Sequence, residues 1–127
     1  MATQRREFTP EEKDYAWQLA MPISGLDSNK VRVDYAGAYI FKDHYGRRDS
    51  NFGWEIDHVI PLEKEGPYEL WNYQPLQWEN NLQKDDDFPI WQTKVTFIER
   101  SNQEDIKDWF GAAGENKIGI IPIKRSK

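Results

Sequence analysis

Four polar residues in the middle of the sequence have types and spacings that suggest chemistry. Asp57 and His58 are adjacent at the end of a short apolar run, Asn72 follows a turn-rich connection, and Asn81 comes nine residues later. A carboxylate and an amide oxygen are hard ligands, which suit Mg²⁺ or Mn²⁺ better than a soft metal. A histidine, whose ordinary pKa is about 6.5, is the natural group to take a proton from water at neutral pH.

A further acid and the geometry of a strand extend this pattern. Asp85 lies four residues beyond Asn81, on the same helical face, and could add an oxygen directly or through water. Neighbours on a strand point to opposite faces, so Asp57 could face a bound cation while His58 faces a separate water. A cation beside such a base can polarise a phosphoryl oxygen and neutralise a leaving alkoxide. These residues are therefore the parts of a one-metal phosphodiester hydrolase.

The elements that must position these residues follow from periodicity and turn signals. Apolar and polar residues alternate over 54–59, which predicts a strand. A Gly-Pro turn then leads to a second extended segment, Trp71–Leu76, and the composition turns helical from Gln77 to about Lys84. Trp78 and Leu82, four residues apart, predict an apolar face on that helix. The predicted order is strand, long turn, strand, helix.

The N-terminal third carries a clear helix signal and two weaker strand signals. A capping-box pattern from Thr9 to Glu12, with proline at the first helical position, predicts a helix over about 10–21. Short strands are predicted at Val31–Val33 and Ala38–Phe41, around a turn that contains glycine.

The C-terminal part is predicted as a strand–helix–strand extension over about 90–123. Ile90–Ile98 is rich in β-forming residues, and Ser101–Phe110 opens with a Ser-x-x-Glu capping signal and continues as an amphipathic pattern. Ile118–Ile123 is predicted as a last strand. The mixture of helices and short strands over residues 1–127 predicts a single domain of the α+β class.

Composition places the chain among ordered globular proteins and excludes several classes of site. Hydrophobic residues make up 38% of the 127 residues and aromatic residues 14%. There is no cysteine, so disulfides and zinc–thiolate sites are impossible and no structural zinc is expected. No apolar run approaches the roughly 20 residues that span a bilayer, and the N-terminus lacks a signal-peptide pattern. No membrane partner is expected, and a cytoplasmic location is the default.

The net charge of −5 argues against a broadly basic nucleic-acid-binding surface. Its distribution is uneven, since acids concentrate in the central stretch and the last eleven residues contain bases without any acid. This pattern suits a cation site that faces an anionic substrate, and it suits equally an acidic protein with a solvated tail. Basic residues that could contact phosphate, or could simply be solvated charges, are Lys84, Arg47, Arg48, Lys124 and Arg125.

The central stretch resembles the HNH nuclease motif, the ββα-metal finger. The resemblance is carried by WEIDHVIP, then NYQPLQW, then ENNLQKDD, and covers about 53–88 with an extension upstream to about Arg32. It implies a ββα-metal finger with flanking helices and short strands. Many relatives carry two CxxC pairs that bind zinc, which are absent here, and Asp85 stands where some branches have histidine and others glycine.

The resemblance implies a role for each matching position. His58 is the implied general base, and Asp57 and Asn81 are the implied ligands of a single divalent cation, Mg²⁺ or Mn²⁺, with Asp85 as a possible further ligand. Asn72 is implied to bind the backbone near His58 and to fix the orientation of the imidazole. Cleavage of this type leaves 5′-phosphate and 3′-hydroxyl ends.

A metal-dependent DNA endonuclease is the function expected from these residues. One alternative is a nucleic-acid-binding or assembly module that keeps the finger and cleaves nothing. Another is an RNA-directed nuclease or toxin, which would share the same site. The acidic charge leaves open that a protein partner supplies the targeting, and the sequence gives no oligomeric state.

Overall fold

The middle of the chain folds as a β hairpin followed at once by a helix. The computed structural model describes residues 5–111 and 121–123 of the protein. Trp54–His58 and Tyr73–Gln77 pair antiparallel, and the helix Trp78–Lys84 follows the second strand without a break. The predicted order of strand, long turn, strand and helix is confirmed, although the second strand begins later than predicted because Leu70–Asn72 forms a 3₁₀ turn.

The described residues form two α-helices and three small antiparallel sheets, so the predicted α+β class is confirmed. The sheets are β1–β2–β3, β4–β5 and β6–β7–β8. None of the described helices has the length and apolar character that a membrane crossing requires. In chain order the elements are α1 (Pro10–Leu19), β1 (Met21–Pro22), β2 (Val31–Val33), β3 (Tyr39–Phe41), β4 (Trp54–His58), β5 (Tyr73–Gln77), α2 (Trp78–Lys84), β6 (Ile90–Ile98), β7 (Ser101–Phe110) and β8 (Ile121–Ile123).

Helix α1 begins where the capping box predicts and packs against the hairpin. The Thr9 hydroxyl accepts a hydrogen bond from the backbone N–H of Glu12, and the Glu12 carboxylate accepts one from the Thr9 N–H. These contacts satisfy donors that the first helical turn leaves free. Trp17 is fully buried, and its ring lies 5.4 Å from that of Trp54 on β4. Helix α1 therefore braces the strand that carries Asp57 and His58.

The buried face of α2 is polar, not the apolar face expected from Trp78 and Leu82. The Leu82 side chain is 51% exposed, whereas Asn80 and Lys84 are fully buried. The Asn80 amide oxygen accepts hydrogen bonds from the backbone N–H groups of Lys94 and Val95, both at 2.7 Å. Its nitrogen donates to the Val95 carbonyl at 3.0 Å. These bonds tie α2 to β6 at the point where the register of β6 with β7 shifts.

A buried acid, Asp34, ties the N-terminal sheet to the same helix. The Asp34 carboxylate accepts hydrogen bonds from the backbone N–H groups of Ala36 and Ala38 in its own turn. It also accepts from the Gln77 N–H and the Asn80 amide where β5 meets α2. Burial raises the pKa of Asp34. The hairpin and its helix are thus fixed by polar contacts to sheets on both sides.

The predicted helix over Ser101–Phe110 is wrong, because these residues form strand β7. They pair with β6 from Ile98↔Ser101 to Ile90↔Phe110, across a turn in which Glu99 has a φ of 63°. The Trp109 indole N–H donates to the Thr93 hydroxyl at 2.8 Å. The described residues of the C-terminal extension therefore form three strands. The predicted last strand is present at Ile121–Ile123, and residues 112–120 lie outside the described part of the chain.

Candidate active site

An open cleft of about 240 Å³ lies between β4 and α2. The cleft brings together most of the residues that the sequence predicts to be functional. Asp57 and His58 both border it, although neighbouring residues on a strand ordinarily point to opposite faces. Asn72 does not border it. The residues around the cleft are Arg5, Arg48, Ile56, Asp57, His58, Pro61, Leu62, Asn81, Leu82, Asp85 and Asp86.

One carboxylate oxygen of Asp57 is left for the cleft, and the other is bonded to buried side chains. The Asp57 side chain is only 5% exposed, and Oδ2 accepts from the Gln74 amide at 2.8 Å and lies 3.2 Å from the Lys84 ammonium. No hydrogen bond from the described residues reaches Oδ1. Burial raises the pKa of Asp57 to about 6, although the charge of Lys84 and the bond from Gln74 act in the opposite direction. At neutral pH the carboxylate is therefore ionised, and Oδ1 is available to a ligand.

His58 is buried among aromatic rings. The Phe8, Tyr68 and Tyr73 rings lie 5.3, 4.6 and 5.6 Å from the imidazole, and both tyrosine rings stand nearly perpendicular to it. Nε2 is enclosed and has no hydrogen-bond partner among the described residues. Burial, followed by the charges of Arg5 and Lys84, lowers the pKa of His58 to about 4. The imidazole is therefore neutral at pH 7, which is the form that can accept a proton.

The Asn81 amide is held so that its oxygen is left for the cleft. Its nitrogen donates to Glu55 Oε1 at 2.9 Å, and the Glu55 carboxylate accepts two hydrogen bonds from Arg48, at 2.7 and 3.0 Å. A carboxylate can only accept, so this contact fixes which end of the amide faces Glu55. No hydrogen bond from the described residues occupies the Asn81 oxygen.

The Asn72 side chain binds the backbone of Ile60, two residues after His58, and the resemblance implies a backbone contact in this region. Its oxygen accepts from the Ile60 N–H at 2.8 Å, and its nitrogen donates to the carbonyls of Ile60 and Pro67 at 3.0 and 3.1 Å. The predicted backbone contact is confirmed. Gly66 is required here because a Cβ at this position would lie 1.7 Å from the Ile60 carbonyl oxygen. Asn72 and Gly66 together fix the loop that leaves β4.

Asp85 caps the C-terminal end of α2 and borders the cleft with Asp86. Its backbone adopts the unusual φ of 50°, and its N–H donates to the Asn81 carbonyl. Within the residues the structure describes, no group of three or more histidine or acidic side chains converges as a cation cage. Asp57 and Asn81 each have a free side-chain oxygen at the cleft, and Asp85 and Asp86 border the cleft with them. One carboxylate and one amide oxygen fit Mg²⁺, which keeps several waters when it binds proteins.

The basic residues expected to contact phosphate have different positions. Lys84 is fully buried, and its ammonium donates to the carbonyls of His58 and Val59 as well as pairing with Asp57. The expectation that Lys84 contacts phosphate is therefore wrong, because its ammonium is buried in contacts with Asp57 and with the carbonyls at the end of β4. Arg48 borders the cleft, whereas Arg47 is exposed beside Asp49 and does not line it. Lys124 and Arg125 lie outside the described residues.

Three residues of the site were not predicted from the sequence. Gln74 lies opposite Asp57 in the strand register, so pairing the two predicted strands could have found it. Glu55 alternates with the core residues Trp54 and Ile56, is partly buried, and gave no sign in the sequence of its contact with Asn81. Arg5 comes from the far end of the chain, and no local pattern connects it to the cleft.

Comparison of the chain with protein-family models, with curated proteins and with solved structures finds no match. Its function must therefore be inferred from the chemistry of the cleft.

Proposed function

We propose that this protein is a metal-dependent endonuclease of the HNH type, which hydrolyses phosphodiester bonds of DNA with His58 as the general base. One observation carries the proposal. A neutral histidine and two free oxygen ligands border the same cleft of a strand–strand–helix unit, in the order that the resemblance implies. The acidic neighbours Asp85 and Asp86 add negative potential that favours a cation there.

The Asp57 and Asn81 oxygens would hold the divalent cation. When bound there, the cation would polarise a phosphoryl oxygen and neutralise the charge of the leaving oxygen. Lys84 keeps Asp57 ionised in a buried position, and Gln74 fixes its orientation through Oδ2. Glu55 keeps the Asn81 oxygen turned away from itself. Each ligand oxygen is thus held by contacts behind it before any cation arrives.

His58 would take the proton from the attacking water. Nε2 is enclosed by aromatic rings, so Nδ1 is the nitrogen assigned to this step. A base with a pKa of about 4 is weak in the free protein, and a bound phosphate would raise the pKa because it stabilises the imidazolium. Asn72 holds the Ile60 backbone two residues beyond His58, which keeps the ring in place as the proton moves.

A plasmid-cleavage assay tests the proposal. We expect the protein to nick or cut supercoiled DNA in Mg²⁺ or Mn²⁺ and not in EDTA, with 5′-phosphate and 3′-hydroxyl ends. His58→Ala should abolish cleavage while the circular dichroism spectrum is retained. His44→Ala is the matched control, since His44 is the other histidine and does not border the cleft.

The possible outcomes separate the alternatives. Cleavage by His58→Ala at the wild-type rate would refute the assignment of the base. Cleavage of RNA alone would move the substrate to RNA and leave the site unchanged. If neither nucleic acid is cut with any divalent metal, the non-catalytic binding module replaces the endonuclease.

A further inference from the structure

The segment that precedes α1 lies against His58. The Phe8 ring contacts three rings of the site, with centroids 5.3 Å from His58, 5.6 Å from Tyr68 and 5.0 Å from Tyr73. Phe8 therefore closes one side of the aromatic enclosure around the imidazole. Residues far apart in sequence are joined here, so the position of this segment is set by tertiary packing.

Arg6 anchors the segment through contacts of several kinds. Its guanidinium makes two hydrogen bonds to the Glu12 carboxylate, at 2.9 and 2.8 Å, and lies 4.2 Å from the centre of the Tyr68 ring. Its backbone N–H donates to the Tyr68 hydroxyl at 2.9 Å. Glu12 also accepts from the Tyr73 hydroxyl at 2.7 Å. These contacts of Arg6 hold the segment before α1 beside β5 and the loop that precedes β5.

Arg5 is the neighbour of this anchor and borders the cleft together with Asp57 and His58. Its charged partner is Glu63, at 3.6 Å, and the two side chains are 69% and 53% exposed. Such a pair is longer than a hydrogen bond and contributes little in water. Arg48, the other arginine of the cleft, is held by two short bonds to Glu55. Arg5 is therefore the cleft arginine whose donors are available to a ligand.

A substrate phosphate needs such a group, because the floor and rim of the cleft are acidic. Asp57, Asp85 and Asp86 would repel an anion, and Lys84 is enclosed behind Asp57. Guanidinium groups bind phosphate oxygens through two parallel N–H donors. The aromatic packing of Phe8 and the anchoring of Arg6 restrict where the Arg5 backbone can go, which lowers the entropy that binding would cost.

We propose that Arg5 is a phosphate-binding residue of this cleft, which contacts a non-bridging oxygen of the nucleic acid backbone, and that Arg6 and Phe8 position it. The inference rests on the proposed nuclease function and adds a substrate contact to it. A contact to the phosphate backbone carries no sequence information, so the effect of Arg5 on binding is expected to be the same for different sequences.

The test measures binding of a short fluorescein-labelled DNA duplex by anisotropy, in Ca²⁺, over a series of salt concentrations. If the cleavage assay identifies RNA as the substrate, RNA of the same sequence is used. We expect Arg5→Ala to weaken binding about tenfold and to lower the slope of log Kd against log salt by about 1, since one phosphate contact is lost. Arg5→Lys should keep most of the slope, because the charge remains, and should recover part of the affinity.

Arg100→Ala is the matched control, since it removes the same charge from an exposed turn away from the cleft. It should leave the affinity within about twofold of the wild type, and the melting temperature of every variant should be unchanged. Equal effects of Arg5→Ala and Arg100→Ala in a protein that cuts DNA would overturn the role of Arg5 and leave the nuclease proposal standing. A wild-type protein that neither binds nor cuts nucleic acid would overturn both.

Discussion

The buried ion pair of Lys84 and Asp57 stabilises the fold and also holds Asp57, a proposed cation ligand. The variant Lys84→Met tests how much the pair contributes to stability. Methionine keeps most of the side-chain volume and removes the ammonium group. The change takes one partner from a buried ion pair, which costs about 3–5 kcal/mol when the other charge remains. It also leaves the carbonyls of His58 and Val59 without their donor, which adds to the loss.

The loss of stability caused by Lys84→Met should be smaller at low pH, because the pKa of Asp57 is raised. Burial raises this pKa to about 6, so the folded state takes up a proton as the pH falls from about 6 towards 4, and Asp57 then needs no cation beside it. We expect Lys84→Met to cost about 3–5 kcal/mol at pH 8 and clearly less at pH 5. At pH 8 this corresponds to a fall in melting temperature of roughly 10–20 °C.

Urea denaturation at the two pH values measures these differences in the free energy of unfolding. Lys64→Met is the control, because Lys64 is exposed and should change the stability by less than about 0.5 kcal/mol. In the double variant with Asp57→Asn, the loss caused by Lys84→Met should shrink, since no charge is left unpaired. A loss below about 1 kcal/mol at pH 8, or the same loss with and without Asp57→Asn, would refute the buried-pair reasoning.

Two further predictions concern the cation and the loop after β4. Binding of Mn²⁺, measured by calorimetry, should weaken about tenfold per pH unit below pH 6, because a proton then competes for Asp57; equal affinity at pH 5 and pH 7.5 would contradict this. Gly66→Ala should destabilise the fold by about 2–4 kcal/mol in urea denaturation, because its Cβ meets the Ile60 carbonyl and separates it from Asn72. Wild-type stability of this variant would show that the loop is not held as described.

The elements that the sequence predicts correctly are those for which local signals agree with tertiary contacts. The capping box of Thr9 and Glu12 works through contacts within one helical turn, and the helix it predicts is confirmed. Alternation over β4 reflects a strand with Trp54 and Ile56 in the core. The prediction for Asn72 did not come from a local signal. Only the resemblance indicated that its amide would bind the backbone near His58.

Strand β7 shows why local signals fail elsewhere. The Ser-x-x-Glu pattern at Ser101 is a real helix-start signal, but β6 needs a partner, and nearly its whole length is paired with β7. Asn102 adds distant contacts, with its side chain bonded to both backbone groups of Tyr39. Long-range pairing of this kind outweighs a helix preference worth tenths of a kcal/mol per residue, about the range of the propensity scale. A single sequence does not display such pairing.

Lys84 illustrates a second limit, which concerns side-chain environment. Lysine is almost never fully buried unless it is paired. Its burial here is explained by three buried contacts that only the fold shows, the ion pair with Asp57 and the hydrogen bonds to the carbonyls of His58 and Val59. The same applies to Arg5, whose place at the cleft depends on the packing of Phe8 and on the contact of Arg6 with Tyr68.

The four side-chain hydrogen bonds of Asn80 have a consequence for how this site can be moved between proteins. Its partners are Asp34, Lys94 and Val95, all of which lie outside the 53–88 stretch. In a graft or excised peptide that carries only this stretch, the Asn80 amide would lose these partners and bind water instead. Helix α2, which carries Asn81, would then no longer be held in place. A transferable unit therefore has to include α1 and the segment before it, which pack on β4 and His58, and to continue through β7, the partner of β6.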